Sequence, residues 1–431
     1  MGGKIVTPPH NKTLLSGLHI GWASNKTPMK MPGDTPIYNK DTILKGKRIA
    51  MAVTNDLVTD QRVHRSCMAL REAGADITLV GRLLPGSTPV GRPYKTIRMR
   101  LLFRKKAFFY AEYNLRLLLW LLRCHADLLY ANDTDTLPAV YLAARLRHKP
   151  IFFDAHEMFP EVPELAHRPR IKAVWERLEG WLLPRLATHP HGASSCTVCH
   201  SIARHYEARY GTHMAVVRNV PMPYDRASVA PASLPWRGGR RLLLYQGAVN
   251  VGRGIEWVID ALPLLDDCML MVIGTGDIIE EIRQRVRQRG VEDRVRVMGR
   301  LPLEELRRYT VCADLGLSLL ENRGLNYYYA LPNRIADFVQ AHVPVLATDF
   351  PEMHHVVATL GIGDLVADGE TKPEQLAQAI RHALNRWHAM PPGQKEAIFS
   401  KAKQELSWTH DKTVLLRAVG QALHPATPQS H

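Results

Sequence analysis

The sequence contains no long apolar run: the longest, "LLLWLL" at 117–122, has six residues, far short of the roughly 20 that a membrane-spanning helix needs. Cysteine is scarce, six in 431 residues, which suits a reducing compartment rather than a disulfide framework. Carboxylates are outnumbered, 41 Asp and Glu against 56 Lys and Arg, for a net charge of +15. Such an excess points to an anionic partner: nucleic acid, a membrane surface or a phosphorylated substrate. The basic residues are dispersed and no nucleic-acid-binding module appears, so nucleic acid is not expected. Two phosphate signatures are also missing from the glycine loop of "LLLYQGAVNVGRGIEWVIDAL" (242–262). Arg253-Gly254-Ile255 stands where a P-loop needs Gly-Lys-Ser/Thr, and the spacing is not G-x-G-x-x-G. The first 47 residues hold no continuous apolar segment and begin without the Ser or Thr of a myristoylation site, so 1–46 reads as a poorly ordered extension.

Hydrophobic residues make up 46% of the chain and charged residues 23%, the balance of a folded protein, and the length suits two domains of roughly 180 residues each. From Lys47 short apolar runs alternate with helical periods: "RIAMAV", 61–73, "DITLVGR", 107–124, "DLLYAND", 136–147, "PIFFDAHE", 170–186, "SSCTVC", a helix from Ser201 and "MAVVRNVP". That order predicts parallel β-α-β units, hence a doubly wound α/β domain over 47–222. Residues 223–240, rich in Pro, Ala, Ser and Gly, read as a linker. The alternation then resumes over 241–405 as a second such domain, followed by a helix at 406–424 expected to return to the first domain, and a tail at 425–431. Ligands of these sheets bind at the carboxyl ends of the strands, so the loop at Gly247 should open onto a cleft between the domains. "CTVCH" (196–200) matches a haem-attachment spacing, and His189, His191 and His205 lie near. The motif sits where a buried strand leads into a helix, so small buried cysteines are expected, with no metal or cofactor.

Taken in order, "DLVTDQRVHRSCMALREAGADITLVG", "DLLYANDTDTL", "DAHEMFPEVPEL", "VVRNVP", the glycine loop, "MVIGTGD", "RVRVMGRLP" and "GLNYYYALPNRIADFVQAHVPVLATDFPE" resemble family 4 glycosyltransferases of the GT-B fold over about Lys47 to Leu423. The resemblance implies two facing Rossmann-like domains and a metal-independent, retaining transfer from a nucleoside-diphosphate sugar. It implies that Gly247 lets the backbone approach the donor diphosphate and that Arg253 neutralises the leaving charge. Asp337 takes the place of the later acid of a Glu-x7-Glu motif that holds the ribose, with Asn333 and Arg334 beside it at a helix start and Gly299 near the base. Two positions depart from the family: Ala248 stands where many members have Arg, and Tyr329 falls where the earlier acid belongs. On the other domain the resemblance places His156 and Glu157 before the sugar and acceptor, with Asp60 and Arg62 on the acceptor side. A GT-B nucleotide-sugar epimerase and a non-catalytic nucleotide-sugar-binding subunit are the alternatives.

The acceptor is expected to be a glycan or a lipid-linked glycan of a cell-surface polysaccharide or lipopolysaccharide, and the protein cytoplasmic and peripheral on the inner membrane. The segment "RMRLLFRKKAFFYAEYNLRLLLWLLR" (98–123) carries five basic residues between Arg98 and Lys106 among aromatic and aliphatic ones, the mixture of an interfacial segment. Tyr110 to Arg123 itself reads as a core helix.

Overall fold

The computed structural model describes residues 44–58, 60–162, 165, 168–369 and 372–425; the expected N-terminal extension up to 43 and the tail from 426 lie outside them. The extension's last residues correct its boundary. Leu44 is 1% exposed and packs in the same core as Ile49 and Leu70, while the Gly46 N–H donates to the Gly74 carbonyl at 3.0 Å. The first domain therefore begins by Leu44, because burying a leucine outweighs the polar character of the residues before it.

In that domain β1 (Arg48–Ala52), β2 (Asp76–Arg82), β3 (Lys95–Met99), β4 (Leu128–Asn132), β5 (Ile151–Ala155), β6 (Ala193–Thr197) and β7 (Ala215–Val216) form one sheet in the order β3-β2-β1-β4-β5-β6-β7. In the second, β8 (Arg241–Gln246), β9 (Cys268–Ile273), β10 (Val295–Met298), β11 (Leu315–Ser318), β12 (Val345–Thr348) and β13 (Gly363–Val366) run β10-β9-β8-β11-β12-β13. Every pairing is parallel. Helices cover both faces, which is why β4 and β9 are buried along their whole length and read as apolar runs, closed in β4 by Asn132, rather than as alternating ones. The winding reverses beside β1 and β4 in one sheet and beside β8 and β11 in the other. At such a reversal the flanking loops diverge and leave a crevice at the strands' carboxyl ends.

The linker is held along the second domain: the Arg226 Nε donates to the Ala341 carbonyl at 2.8 Å, and the Ala232 N–H to the Arg308 carbonyl at 2.9 Å. Leu406 still belongs to the second core, with Phe338 and Phe399. The chain crosses over just after it. The helix Trp408–Leu423 buries Trp408, Leu415 and Val419 in the first core beside Ile49 and Val63. A buried ion pair fastens this crossover, with Arg218 Nη2 3.1 Å from Asp411 Oδ2.

Candidate active site

β8 ends at Gln246, and Gly247 follows with φ 129°, a conformation that costs glycine little and other residues much. Its N–H donates to the Ile273 carbonyl at 3.0 Å, and the Val249 N–H to the Thr275 carbonyl at 3.0 Å. The loop after β8 therefore lies backbone to backbone on the loop after β9. A Cβ placed on Gly274 would stand 1.8 Å from the Gly247 carbonyl oxygen, so the second glycine loop exists to support the first.

One guanidinium group, that of Arg334, reaches this turn, and a second, that of Arg253, lies near enough to act on its charge. A Cβ at Gly247 would lie 3.4 Å from Arg334 Nη2. Arg334, buried at the start of the helix Asn333–Gln340, lies 4.2 Å over the Tyr245 ring and donates to the Tyr245 hydroxyl at 3.1 Å. Burial and, after it, the neighbouring Arg253 lower its affinity for its proton. Arg253 sits 4.6 Å over the Tyr327 ring. Neither makes an ion pair with a carboxylate among the described residues, and Arg334 Nη1 and Arg253 Nε make no hydrogen bond. Two neighbouring cations on aromatic faces, neither in an ion pair among the described residues, have the chemistry to meet an anion of more than one charge.

Asp337 lies one turn further along the same helix. Its Oδ2 accepts from Gln246 Nε2 at 3.3 Å, and Gln246 in turn accepts from the Thr310 hydroxyl at 2.9 Å. Burial raises the Asp337 carboxyl to about 6, against the pull of Gln246, Arg65, Arg307 and Arg334. It is therefore ionised above that pH and neutral below it. If it holds donor hydroxyls, Asp337→Ala should raise donor KM by about 10- to 100-fold with little change in kcat, as for a hydrogen bond to a charged group. Wild-type donor KM should climb as pH falls below 6, and Asp337→Asn should flatten that climb. Steady-state kinetics across pH check both; an unchanged donor KM would remove Asp337 from the donor site.

Across the crevice, β4 and β5 deliver Asp133 and His156. Asp133 has φ 61°, uncommon for a residue with a side chain, and such strain persists where surrounding contacts fix it. Here its Oδ1 accepts the His156 backbone N–H at 2.7 Å, while its Oδ2 lies 3.1 Å from His156 Nδ1. His156 Nε2 faces Asp154 Oδ2 at 3.5 Å. Burial alone would lower the imidazole's pKa, but Asp133 and then Asp154 outweigh it and raise it to about 10. The ring is a cation at neutral pH, unsuited to act as a base. Because its folded pKa is raised, its contribution to stability is full below about 6.5, and is lost as pH rises through about 10. NMR of the ring should show imidazolium through pH 8; titration near 6.5 would contradict this.

The one-turn helix Leu325–Tyr328 joins the two sides. Asn326 donates to Glu157 Oε2 at 3.1 Å and its Oδ1 accepts from the Met158 N–H at 3.3 Å, while the neighbouring Tyr327 lies beneath Arg253. Tyr329 packs against the first-domain core, and its carbonyl accepts from the Cys199 thiol at 3.2 Å.

Comparison with known proteins agrees with this architecture on both domains. The model of the family described as Glycosyltransferase Family 4 matches residues 60–227, and that described as Glycosyl transferases group 1 matches residues 240–386. The chain belongs to the GT-B glycosyltransferases. No curated protein matches it in sequence. Among solved structures, the sucrose-phosphate synthase of Thermosynechococcus elongatus is similar, with a TM-score of 0.68 and 17% identity over 88% of this chain and 100% of that one. HepE of Anabaena in complex with UDP-glucose gives 0.61 and 14% over 87% and 100%. WaaG, a glycosyltransferase involved in lipopolysaccharide biosynthesis, gives 0.59 and 15% over 88% and 100%.

In this glycosyltransferase the residues singled out from the sequence divide into three groups. Gly247, Arg253, Arg334 and Asp337 come together at the end of β8, with Asn333 exposed at the start of the Arg334 helix. Gly299 is exposed just beyond β10, where the Met298 carbonyl accepts from the Gly274 N–H at 3.1 Å. On the other domain the structure corrects the expectation for Arg62 and shows what the other acceptor-side residues touch. Asp60 caps the helix Gln61–Glu72, its side chain accepting from the Val63 N–H at 2.9 Å and from Asn55 Nδ2 at 2.6 Å. Arg62 turns inward, 6% exposed, with Nη2 2.6 Å from Asp154 Oδ1 and Nη1 donating to the Val217 carbonyl at 2.8 Å. Glu157 bonds across the cleft to Asn326, and both His156 ring nitrogens face carboxylates.

Asp133, Asp135, Tyr245, Gln246 and Gly274 were missed by the sequence reading. Asp135 accepts from the Thr54 hydroxyl at 2.6 Å, and burial followed by the nearby Asp133 raises its carboxyl to about 7. The signal for both acids was present: "NDTD" follows the apolar run of β4, the strand next to β1 at the reversal. The four cysteines outside the 196–200 motif and the two within it are all free. Among the described residues no group of three His, Cys, Asp or Glu is placed to hold a metal.

Proposed function

We propose that this glycosyltransferase transfers a sugar from a nucleoside-diphosphate sugar to a glycan or lipid-linked acceptor with retention of configuration, in the assembly of a cell-surface polysaccharide or lipopolysaccharide. The observation that carries this reading is the pair of neighbouring guanidinium groups of Arg334, set against Gly247, and Arg253, on the loop after it, neither in an ion pair with any described carboxylate. The similarity to HepE, solved with UDP-glucose, and to WaaG supports the donor class and the pathway. As the bond between the anomeric carbon and the diphosphate oxygen breaks, negative charge grows on that oxygen. The two guanidinium groups are already in place to meet it, so no reorganisation is needed at that moment. The acceptor hydroxyl adds on the same face, and its proton passes to the departing phosphate oxygen. Asp337 binds the ribose hydroxyls. His156, held as a cation by Asp133 and Asp154, fixes the loop that faces the sugar and adds positive potential. The reaction takes place in the cytoplasm, at the inner face of the membrane.

Incubation with UDP-, GDP- and ADP-sugars, followed by nucleotide release and NMR of the product, tests the reading. Release of a nucleoside diphosphate with a product that keeps the donor's anomeric configuration is expected. A sugar epimerised without acceptor, or no nucleotide sugar that is bound or consumed, would overturn it.

A further inference from the structure

The helices Lys106–Leu121, Leu137–Leu146 and Pro169–Ala187 form one layer on the first sheet. Tyr110 meets Trp175 edge-on at 5.1 Å and Tyr141 meets Trp181 at 5.8 Å, and the inner sides of all three helices share one core. Their outer side departs from an ordinary solvated surface. Ten of the fourteen large apolar side chains exposed among the described residues lie on this layer or on the loop leading into it. A concentration of that kind marks an interaction face rather than scattered surface apolarity.

The end of the layer nearest the cleft is the most pronounced. Leu102 is 80% exposed, Phe108 68% and Val174 61%, with Phe103 and Ile171 beside them in the chain. The exposed loop is not slack. Glu112 accepts the Leu102 N–H at 2.9 Å and the Phe103 N–H at 2.8 Å, and the Phe103 and Phe108 rings lie 5.3 Å apart. A carboxylate is spent on holding two apolar residues outward. Around them Arg100, Arg104, Lys105, Lys106, Arg168 and Arg170 are exposed, and none makes an ion pair among the described residues. In a parallel sheet each helix that follows a strand starts at the strand's carboxyl end, so these helix starts border the crevice. Phe159, three residues beyond His156, touches both helices, 6.3 Å from Tyr110 and 4.6 Å from Trp175.

We propose that this face docks on an anionic lipid bilayer, inserting Leu102, Phe103, Phe108, Ile171 and Val174 while the surrounding cations meet the headgroups, so that a lipid-carried acceptor reaches the crevice from the membrane. The inference deepens the transfer reading above and rests on it for the acceptor. Charge selects the occupant. A second copy would bring the same cations against each other, and residues 1–43 of the chain carry more Lys than Asp or Glu. Apolar and aromatic side chains ringed by basic ones suit the boundary between headgroups and acyl chains. No described helix is long and apolar enough to cross a membrane, so the contact is with one leaflet.

The test is flotation of the full chain with vesicles of phosphatidylcholine alone and of equimolar phosphatidylcholine and phosphatidylglycerol. Binding is expected on the mixed vesicles only, weakening as salt rises. The triple variant Arg104→Gln/Lys105→Gln/Lys106→Gln should weaken it by about a hundredfold. Phe103→Ser/Phe108→Ser should weaken it at least about tenfold. Both variants should keep the wild-type Tm and the same thermal shift with UDP. Wild type that stays unbound, variants that float like wild type, or a dimer that the phenylalanine variant dissociates would overturn the docking face. If no nucleoside diphosphate shifts the Tm while vesicle binding persists, the transfer reading fails and the docking face stands.

Discussion

Arg253→Ala and Arg334→Ala are each expected to lower kcat for sugar transfer by about two to three orders of magnitude, as when a preorganised donor to a developing oxyanion is removed. Donor KM should move far less, because the charge these groups meet grows only as the glycosidic bond breaks. The two variants should differ in stability. Arg334 is a buried cation whose surroundings lower its pKa and whose side chain, among the described residues, donates to the Tyr245 hydroxyl alone. Holding it there without an anion is costly, so Arg334→Met should leave the melting temperature of the ligand-free protein unchanged or raised while activity collapses. Arg253 is half-buried over Tyr327, and Arg253→Ala should change stability little. Arg334→Lys keeps the charge but loses the planar stacking on Tyr245 and should recover only part of the rate. Steady-state kinetics with calorimetry on the four variants decide the matter. Full kcat in either alanine variant would mean that the glycine turn does not hold the leaving diphosphate.

Arg62→Ala should destabilise the protein by about 3–5 kcal/mol, the cost of leaving the other half of a buried ion pair uncompensated. That is a large share of the roughly 5–15 kcal/mol by which domains are stable. Asp154 is fully enclosed and takes hydrogen bonds from Arg62 at 2.6 Å and from the Tyr130 hydroxyl at 2.9 Å. Burial would raise its carboxyl, but Arg62 and then His156 outweigh burial and hold it well below the usual carboxylate range. A depressed folded pKa contributes stability that is present above about 3.9, the unfolded value, and is lost as pH falls through the folded one. The Arg62→Ala penalty should therefore be largest near neutral pH and shrink on acidification, when Asp154 can take a proton in the variant. Urea unfolding at several pH values measures this. An Arg62→Ala protein of normal stability with a raised acceptor KM would restore Arg62 to the acceptor side.

The error over Arg62 shows where reading residues alone stops. "TDQRVHR" shows a helix start, and Asp60 is a good cap for it, but the sequence holds no sign that the next arginine turns toward a strand more than ninety positions away. The same distance hides the Asp133–His156–Asp154 array, since its acids and imidazole come from β4 and β5 and meet only when those strands pair. Tyr329 was legible as a missing acid by counting back from "HVPV". Its packing on the first domain was not, because that depends on how the domains close. The grouping near Gly247 was easier to see, since Arg253 is six residues away on the same loop and Arg334 belongs to a motif with its own pattern.

By itself the sequence determined the two doubly wound domains, because parallel strands buried on both faces read as short apolar runs rather than alternating ones and the helices between them show one apolar stripe. It also determined the strongly cationic character and the glycine turn, which are properties of composition and of neighbouring residues. The tertiary structure alone decided which charges are used inward and which outward. Arg62 is consumed by Asp154 and His156 by two carboxylates, whereas Arg253, Arg334 and the cations around Phe103 and Phe108 have no ion-pair partners among the described residues. The physical reason is that the cost or value of a charge depends on its burial and on its neighbours within a few ångströms. In a chain folded through parallel crossovers, those neighbours are rarely close in sequence.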